Sequence, residues 1–143
     1  MKTLHRLKTT RNQNISKMNA VIYARVSSPG DRQSTERQVI DLTEYAGNNS
    51  MAVIRTFEEH ISGARKNKDR LVLNECLTYA VNNGVDIILI SELSRLGRNV
   101  DEVLENIRFC KDRRLNIYFQ KEGISIFDAY GKENPYLTIM IAV

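Results

Sequence analysis

Between Ala20 and Val143, short and nearly continuous apolar runs alternate with stretches in which apolar residues return every three or four positions. The first kind reads as buried strand, because a strand covered on both faces has no polar side to show. The second reads as amphipathic helix, whose buried stripe repeats about every 3.6 residues. Ala20 to Val26 is the first strand. A helix follows in which Val39, Leu42 and Ala46 share a face, with Thr35 and Gln38 spaced as a capping box at its start and Gly47-Asn48-Asn49 at its end. Met51 to Phe57 is the second strand. Asp69 opens a helix carrying Leu73, Cys76, Leu77 and Ala80, and Asn82-Asn83-Gly84 stops it. Val85 to Ile90 is the most apolar strand of the chain. Asn99 then caps a helix with Asp101 and Glu102 in its first turn and Lys111, Arg113 and Arg114 in its last, matching the helix dipole. Val100, Val103, Leu104 and Ile107 face its core side, and Leu115 to Gln120 is a fourth strand. This alternation predicts an α/β fold with a mostly parallel central sheet and helices on both faces.

Two stretches break the pattern. Glu58 to Lys68 is polar and charged, and reads as a long functional loop that includes Glu59 and His60. At the other end Asn134-Pro135 starts a helix, Tyr136 to Val143, in which Leu137, Ile139, Met140, Ile141 and Val143 exceed what one domain face buries. It ends without a cap, so it reads as a longer helix cut within its length, its surplus apolar surface covered by another copy of the chain.

The length of 143 residues and the 42% apolar content are enough for one domain with its own core. Cys76 and Cys110 stand in apolar helical settings without a CxxC or a histidine partner, and read as small core residues of a reduced cytoplasmic protein. No apolar run is long enough to span a membrane. The net charge of +4 is misleading as a nucleic-acid signal. Residues 1–18 hold five of the 21 basic residues and no acid, which leaves 16 basic against 17 acidic residues in 19–143. The first segment is expected to be a flexible basic leader, and affinity for DNA in the remainder has to be local.

The chemistry gathers on strand ends. Tyr23-Ala24-Arg25-Val26-Ser27-Ser28 places a serine hydroxyl beside an arginine where the first strand runs into Pro29-Gly30-Asp31. Loops leaving the carboxyl ends of parallel strands share one edge, so the stretch around Arg70 and the segment Ser94 to Arg98 are expected to converge on Ser27. Arginine suits a phosphodiester, since its planar fork pairs two phosphate oxygens and its charge meets the negative charge that grows in phosphoryl transfer. Ser27 is preferred over Ser28 because Arg25, two residues earlier, leaves the strand on the same side. Arg70 is preferred over Arg65 because it directly precedes an apolar helical face. Arg95 and Arg98, three apart, are expected on one side of a helical turn, which suits a joint grip on phosphate. Gln38 as a cap, Glu59 as a solvated loop charge and Tyr23 as plain core remain open alternatives, and His60 lacks any second ligand at metal spacing.

Taken together, Tyr23-Ala-Arg-Val-Ser27, Gln33-Ser34 with Arg37-Gln38-Val39, Ser62-Gly63 before Arg70, Leu93-Ser-Arg-Leu-Gly-Arg98 and Gly123-Ile-Ser125 resemble the serine recombinases, the resolvase and invertase group with the large integrases and transposon recombinases. The resemblance covers roughly Ala20 to Val143 and implies a resolvase-like catalytic domain over 19–143. It implies that Ser27 attacks a DNA phosphate, forms a 5′-phosphoserine link and releases a 3′ hydroxyl, within a tetramer that exchanges strands, without ATP or an obligatory metal. Arg25, Arg70, Arg95 and Arg98 would hold the phosphate, Gln33 and Gln38 would give polar support, and Tyr23 and Glu59 would sit beside the site. The partners implied are double-stranded DNA and further copies of the chain, met through the final helix. Ser94 departs from the aspartate frequent in the family and tied there to proton handling, which leaves the general acid open. The glutamate and arginine expected further along the last helix, and the DNA-binding domain, lie beyond Val143, so the fragment is expected to be crippled as a catalyst. Against this stand a receiver-like sensory domain, for which the acidic cluster is missing, a nucleotide-binding enzyme, for which no Gly-rich phosphate motif is present, and a non-catalytic α/β oligomerisation or regulatory domain.

Overall fold

The structure is a computed structural model that describes residues 17–26, 34–60 and 71–137. Its elements are β1 (Met18–Val26), α1 (Thr35–Asn48), β2 (Met51–His60), α2 (Leu71–Asn82), β3 (Ile87–Ile90), a 3-10 turn (Leu93–Arg95), α3 (Val100–Asp112), β4 (Asn116–Phe119) and β5 (Ile124–Ser125). They form one sheet of order β2-β1-β3-β4-β5, parallel except for β5, which runs antiparallel to β4. The strand–helix alternation in the sequence therefore translates directly into parallel pairing with helical crossovers.

Each face of the sheet has its own core. On one, Leu73, Cys76, Leu77 and Ala80 of α2 and Val103, Ile107 and Cys110 of α3 pack on Val21, Tyr23, Ile88, Ile90, Ile117 and Phe119. On the other, Leu42 and Ala46 of α1 pack on Ala20, Ile22, Ile87 and Leu89. Helices thus cover both faces, as the alternation predicts. Beside the second core, Tyr45 of α1 stacks on Tyr118 of β4 with ring centroids 4.3 Å apart. Burial, with Tyr118 next to it, raises the pKa of Tyr45. Cys76 and Cys110 are free and buried, as expected of small core residues. Burial pushes Cys110 up to about 12 and Cys76 higher still.

Three local differences from the sequence reading have physical causes. β1 begins at Met18, two residues before its apolar run, because Met18 pairs with Met51. Asn19 is also anchored there, its N–H donating to Asp86 Oδ2 at 2.8 Å and its carbonyl accepting from Asp86 N at 2.9 Å. The cap of α1 is Ser34, whose Oγ accepts from Arg37 N at 3.1 Å, so Thr35 lies inside the helix and Gln38 is released from any capping duty. β2 runs through Glu58 and Glu59 to His60 instead of ending at Phe57, because its ladder to β1 continues to the pair Val26 and His60. Glu59 is a strand residue, not a loop charge.

β2 also carries a bulge. Val53 pairs with Ala20 but Arg55 with Val21, which leaves Ile54 as the extra residue. In an unbroken strand Val53 and Phe57 would face the same way. Here Met51 and Val53 pack on the α1 side while Phe57 joins the α2/α3 core. The bulge turns the second half of β2 over, and Glu59 arrives on the side where Tyr23 and Arg25 stand.

Asn99 caps α3 as its sequence indicates, with Oδ1 accepting from Glu102 N at 2.9 Å. Asn134 Oδ1 accepts from Tyr136 N at 3.0 Å, and Leu137 is buried in the α2/α3 core. The apolar stretch from residue 138 onward, and residues 1–16 of the basic leader, lie outside the described residues. Among the described residues no helix is long and apolar enough to cross a membrane.

Candidate active site

β1 and β3 are neighbours whose onward connections lead to opposite sides, to β2 and to β4. Such a switch of direction opens a crevice at the carboxyl ends of the two strands. The exit of β1 brings Arg25 to it, and the exit of β3 brings Ser91 to Arg98.

A buried amide ties the two exits together. Gln38, fully buried on α1, accepts from Arg25 N at 3.1 Å and donates to Arg25 O at 2.9 Å, pairing with that peptide as a neighbouring strand would. Its Oε1 also accepts from Ser91 Oγ at 3.3 Å. The last turn of β1 before Ser27 is therefore held by a side chain where strand pairing with β3 has stopped, since that ladder ends at Ile22 and Leu89.

Arg25 extends the tie. Its Nε donates to Arg95 O at 3.1 Å and its Nη2 donates to Ser94 O. The guanidinium is buried, and its fork grips the backbone of the 3-10 turn. Other elements fix the same turn. Glu122 Oε1 accepts from Leu93 N at 3.0 Å, Lys121 N donates to Ser91 O at 2.8 Å, and Asn106 Nδ2 donates to Leu96 O at 2.8 Å. Gly97 lies so close to the start of α3 that a Cβ there would come within 2.6 Å of Val103 N. Only glycine allows this approach.

Arg95 and Arg98 differ more than their spacing implies. The helical turn ends at Arg95, with Leu96 as its C-cap, so the two residues do not share a helical face. Arg95 is buried, its Nε 4.0 Å from Glu92 Oε1. Arg98 is half exposed, and both its backbone N–H, at 3.0 Å, and its Nε, at 3.8 Å, reach Glu102 Oε2. The bulge-directed pair completes the edge. Tyr23 Oη donates to Glu59 Oε1 at 2.5 Å, and Glu59 Oε2 accepts from Val72 N at 3.1 Å. Glu59 thereby supplies an acceptor to the first turn of α2, where an anion also meets the positive end of the helix dipole.

The Resolvase, N terminal domain family model matches residues 20–143. The chain belongs to this family. A resolvase/recombinase of Pseudomonas putida is 31% identical over 121 residues, which are 85% of this chain and 60% of that protein. A resolvase of Clostridium perfringens is 29% identical over 85% of this chain and 57% of its own length. The chain thus spans less than two thirds of these relatives. Among solved structures, the N-terminal catalytic domain of TP901-1 integrase superposes with a TM-score of 0.72 at 26% identity, covering 87% of this chain and 92% of that one. The C-terminal catalytic domain of ISC1926 TnpA, an IS607-like serine recombinase, gives a TM-score of 0.63 at 29% identity, covering 72% of this chain and 67% of that one.

Of the site residues read from the sequence of this resolvase-family domain, Tyr23, Arg25, Gln38, Glu59, Ser94, Arg95 and Arg98 are described and lie about the exits of β1, β2 and β3. Ser27, Gln33 and Arg70, with the rivals Ser28 and Arg65, lie outside the described residues. The structure adds Ser91, Glu92 and Glu122, which sequence reasoning passed over. Glu92 adjoins the Leu93 to Arg98 motif, and that adjacency was the only signal available. Ser91 and Glu122 gain meaning only through partners 53 and 29 residues away.

Proposed function

We propose that this chain is the catalytic domain of a serine-type, site-specific DNA recombinase with Ser27 as nucleophile. The Ser27 Oγ attacks a backbone phosphorus and the bond to the 3′ oxygen breaks. The 5′ phosphate is left on the serine and a 3′ hydroxyl is freed. Attack by a 3′ hydroxyl on the phosphoserine reverses the step and reseals a strand, so the phosphate-ester bond is conserved and the chemistry calls for no nucleotide cofactor or metal. Arg25, Arg70, Arg95 and Arg98 supply positive charge to the phosphate as its negative charge grows. Tyr23, Gln33, Gln38, Glu59 and Ser94 hold these groups in place.

Family membership supports this reading, and one observation carries it: the guanidinium of Arg25 fastens the strand end two residues before Ser27 to the carbonyls of Ser94 and Arg95. The strand end that leads to residue 27 and the turn that carries Arg95 thereby meet at one edge of the sheet, which supports the reading of Ser27 and Arg95 as parts of one site. The balanced charge of 19–143 supports a reading in which duplex affinity and base readout rest with a separate DNA-binding domain. The final apolar helix is the surface through which copies would assemble into the tetramer, and the cytoplasm is the compartment that suits DNA as substrate and two free thiols.

The test is covalent capture. The full-length protein that carries this domain is offered duplexes with a randomised core. An adduct that survives denaturation is expected with the wild-type chain and not with Ser27→Ala. An adduct retained in Ser27→Ala overturns the assignment of the nucleophile. A full-length protein that self-associates but never forms an adduct would make this chain an oligomerisation domain instead.

A further inference from the structure

Lys121 has no part in the chemistry above, yet its ammonium stands on the edge where the parallel strands end. Its side chain is 71% exposed, and its Nζ is 3.8 Å from Glu92 Oε2. The other oxygen of that carboxylate accepts from Ser94 Oγ and lies 4.0 Å from Arg95 Nε. One carboxylate thus stands between two cations that come from the exits of adjacent strands, Arg95 from β3 and Lys121 from β4.

Bracing does not explain the ammonium. The tip of the β4–β5 hairpin is already fastened to the turn after β3 by its backbone and by Glu122. Gln120 N donates to Ile90 O at 2.9 Å, Lys121 N donates to Ser91 O at 2.8 Å, and Glu122 Oε1 accepts from Leu93 N at 3.0 Å. To these the Lys121 side chain adds an ion pair longer than a hydrogen bond and open to water, a kind that contributes little to stability. A carboxylate held by cations at 3.8 and 4.0 Å is an anion in a seat that it fills loosely. A phosphodiester brings the same charge on two free oxygens, and both lysine and arginine bind it well.

We infer that Lys121 is a further DNA-contacting residue, which binds a backbone phosphate close to the reacting one, and that Glu92 occupies this seat until the duplex arrives. The inference rests on the recombinase reading for its ligand. The exits of β1 and β4 are two strand spacings apart, about 10 Å. One DNA strand carries a charge about every 3.4 Å along its axis. A backbone that reacts at the β1 exit and runs across β3 therefore offers Lys121 a phosphate within about three nucleotides of the reacting one. Arrival of that phosphate releases Glu92 from Lys121, so the contact forms by exchange of one anion for another.

The test is equilibrium binding by the full-length protein that carries this domain, on a duplex selected from a randomised pool by retention. Lys121→Ala is expected to weaken binding about 3- to 10-fold and to lower the slope of log affinity against log salt by about 1, with its urea midpoint unchanged. Glu92→Gln keeps an acceptor for Ser94 but loses the charge. It should tighten binding about threefold or more, and most of that gain should be absent when Lys121→Ala is added. Neutral methylphosphonates placed one at a time locate the contact. One position, within about three nucleotides of the serine adduct, should weaken wild type and leave Lys121→Ala unaffected. Lys132→Ala removes an exposed lysine from the segment fastened to Arg114 at the other end of β4, and should change neither affinity nor slope. Four outcomes overturn the inference: a wild-type salt slope in Lys121→Ala, an equal loss in Lys132→Ala, Glu92→Gln binding no tighter than wild type, or methylphosphonate effects identical in wild type and Lys121→Ala at every position. A protein that shows the expected binding pattern but forms no adduct overturns the recombinase reading instead, and keeps the phosphate seat.

Discussion

Two irregular segments leave this sheet, and both are densely hydrogen-bonded, but to different ends. In the segment after β5, Asp128 Oδ1 accepts from Tyr130 N and Lys132 N at 2.8 and 3.0 Å. Arg114 Nη2 donates to Gly131 O at 2.8 Å while its guanidinium lies 4.2 Å from the centre of the Phe127 ring. Asn116 completes the knot, accepting from Phe127 N at 2.9 Å and donating to Phe127 O at 3.1 Å. There Asp128 closes the segment on itself, while Arg114 and Asn116 brace it from the end of α3 and the start of β4. In the turn after β3 the fixing groups come from outside, from Arg25, Gln38, Glu122 and Asn106, and they hold mostly backbone. The turn's own Ser94 and Arg98 are left exposed. Both segments are braced by neighbouring elements; the difference is that the first also commits its own Asp128 carboxylate to its own backbone, whereas the turn after β3 keeps Ser94 and Arg98 exposed.

That contrast can be broken most directly at Arg98. Its ion pair with Glu102 is exposed, so Arg98→Ala should change unfolding free energy by less than about 0.5 kcal/mol in urea titration. Adduct formation should nevertheless fall about 10²- to 10³-fold. A large stability loss with intact chemistry would make Arg98 a structural brace like Asp128. Gly97→Ala should disturb both properties, because the added Cβ meets the backbone of α3. A loss of about 1–3 kcal/mol is expected, with a slower reaction as the turn shifts. Asn116→Ala is the counterpart in the other segment. It removes the Oδ1 acceptor of Ile117 N and Phe127 N and one of two donors to Phe127 O, the other being Ser125 Oγ, and should lower stability by roughly 1–3 kcal/mol while the folded fraction reacts at the wild-type rate.

A last effect concerns the two buried thiols of the α2/α3 core. Cys76 and Cys110 are protonated in the folded chain, whereas unfolding lets them ionise near the usual thiol value. Their contribution is complete below about pH 8.5 and is lost as pH rises toward the folded value of about 12 for Cys110. Urea titrations at pH 8 and pH 10 should differ by about 1–2 kcal/mol per thiol, and Cys110→Ala should reduce that difference.

Much of this was legible in the chain. The strand runs, the Asn99 cap and the apolar stripes of α2 and α3 depend on residues within a turn or two of one another, and they appear where the pattern puts them. Arg25, Arg95 and Arg98 were legible as arginines near strand exits. Their different settings were not, because burial of Arg95 and exposure of Arg98 follow from how the turn is pinned against α3. β2 was read too short because charged residues after Phe57 resemble a loop. A ladder to β1 overrides that local preference when the strand turns over at Ile54 and gives Glu59 the Tyr23 hydroxyl and an α2 N–H as partners.

By itself, the sequence determined the strand and helix alternation, the family motifs and the kinds of side chain available at each exit. Those depend on periodicity and residue chemistry, which are local. Only the tertiary structure decided that Gln38 pairs with the Arg25 peptide, that Arg25 binds carbonyls about 70 residues away, and that Ser94 turns its hydrogen to Glu92. Hydrogen bonds of this sort are set by which backbone groups the sheet leaves without a strand partner, and that is known only once the strands are paired.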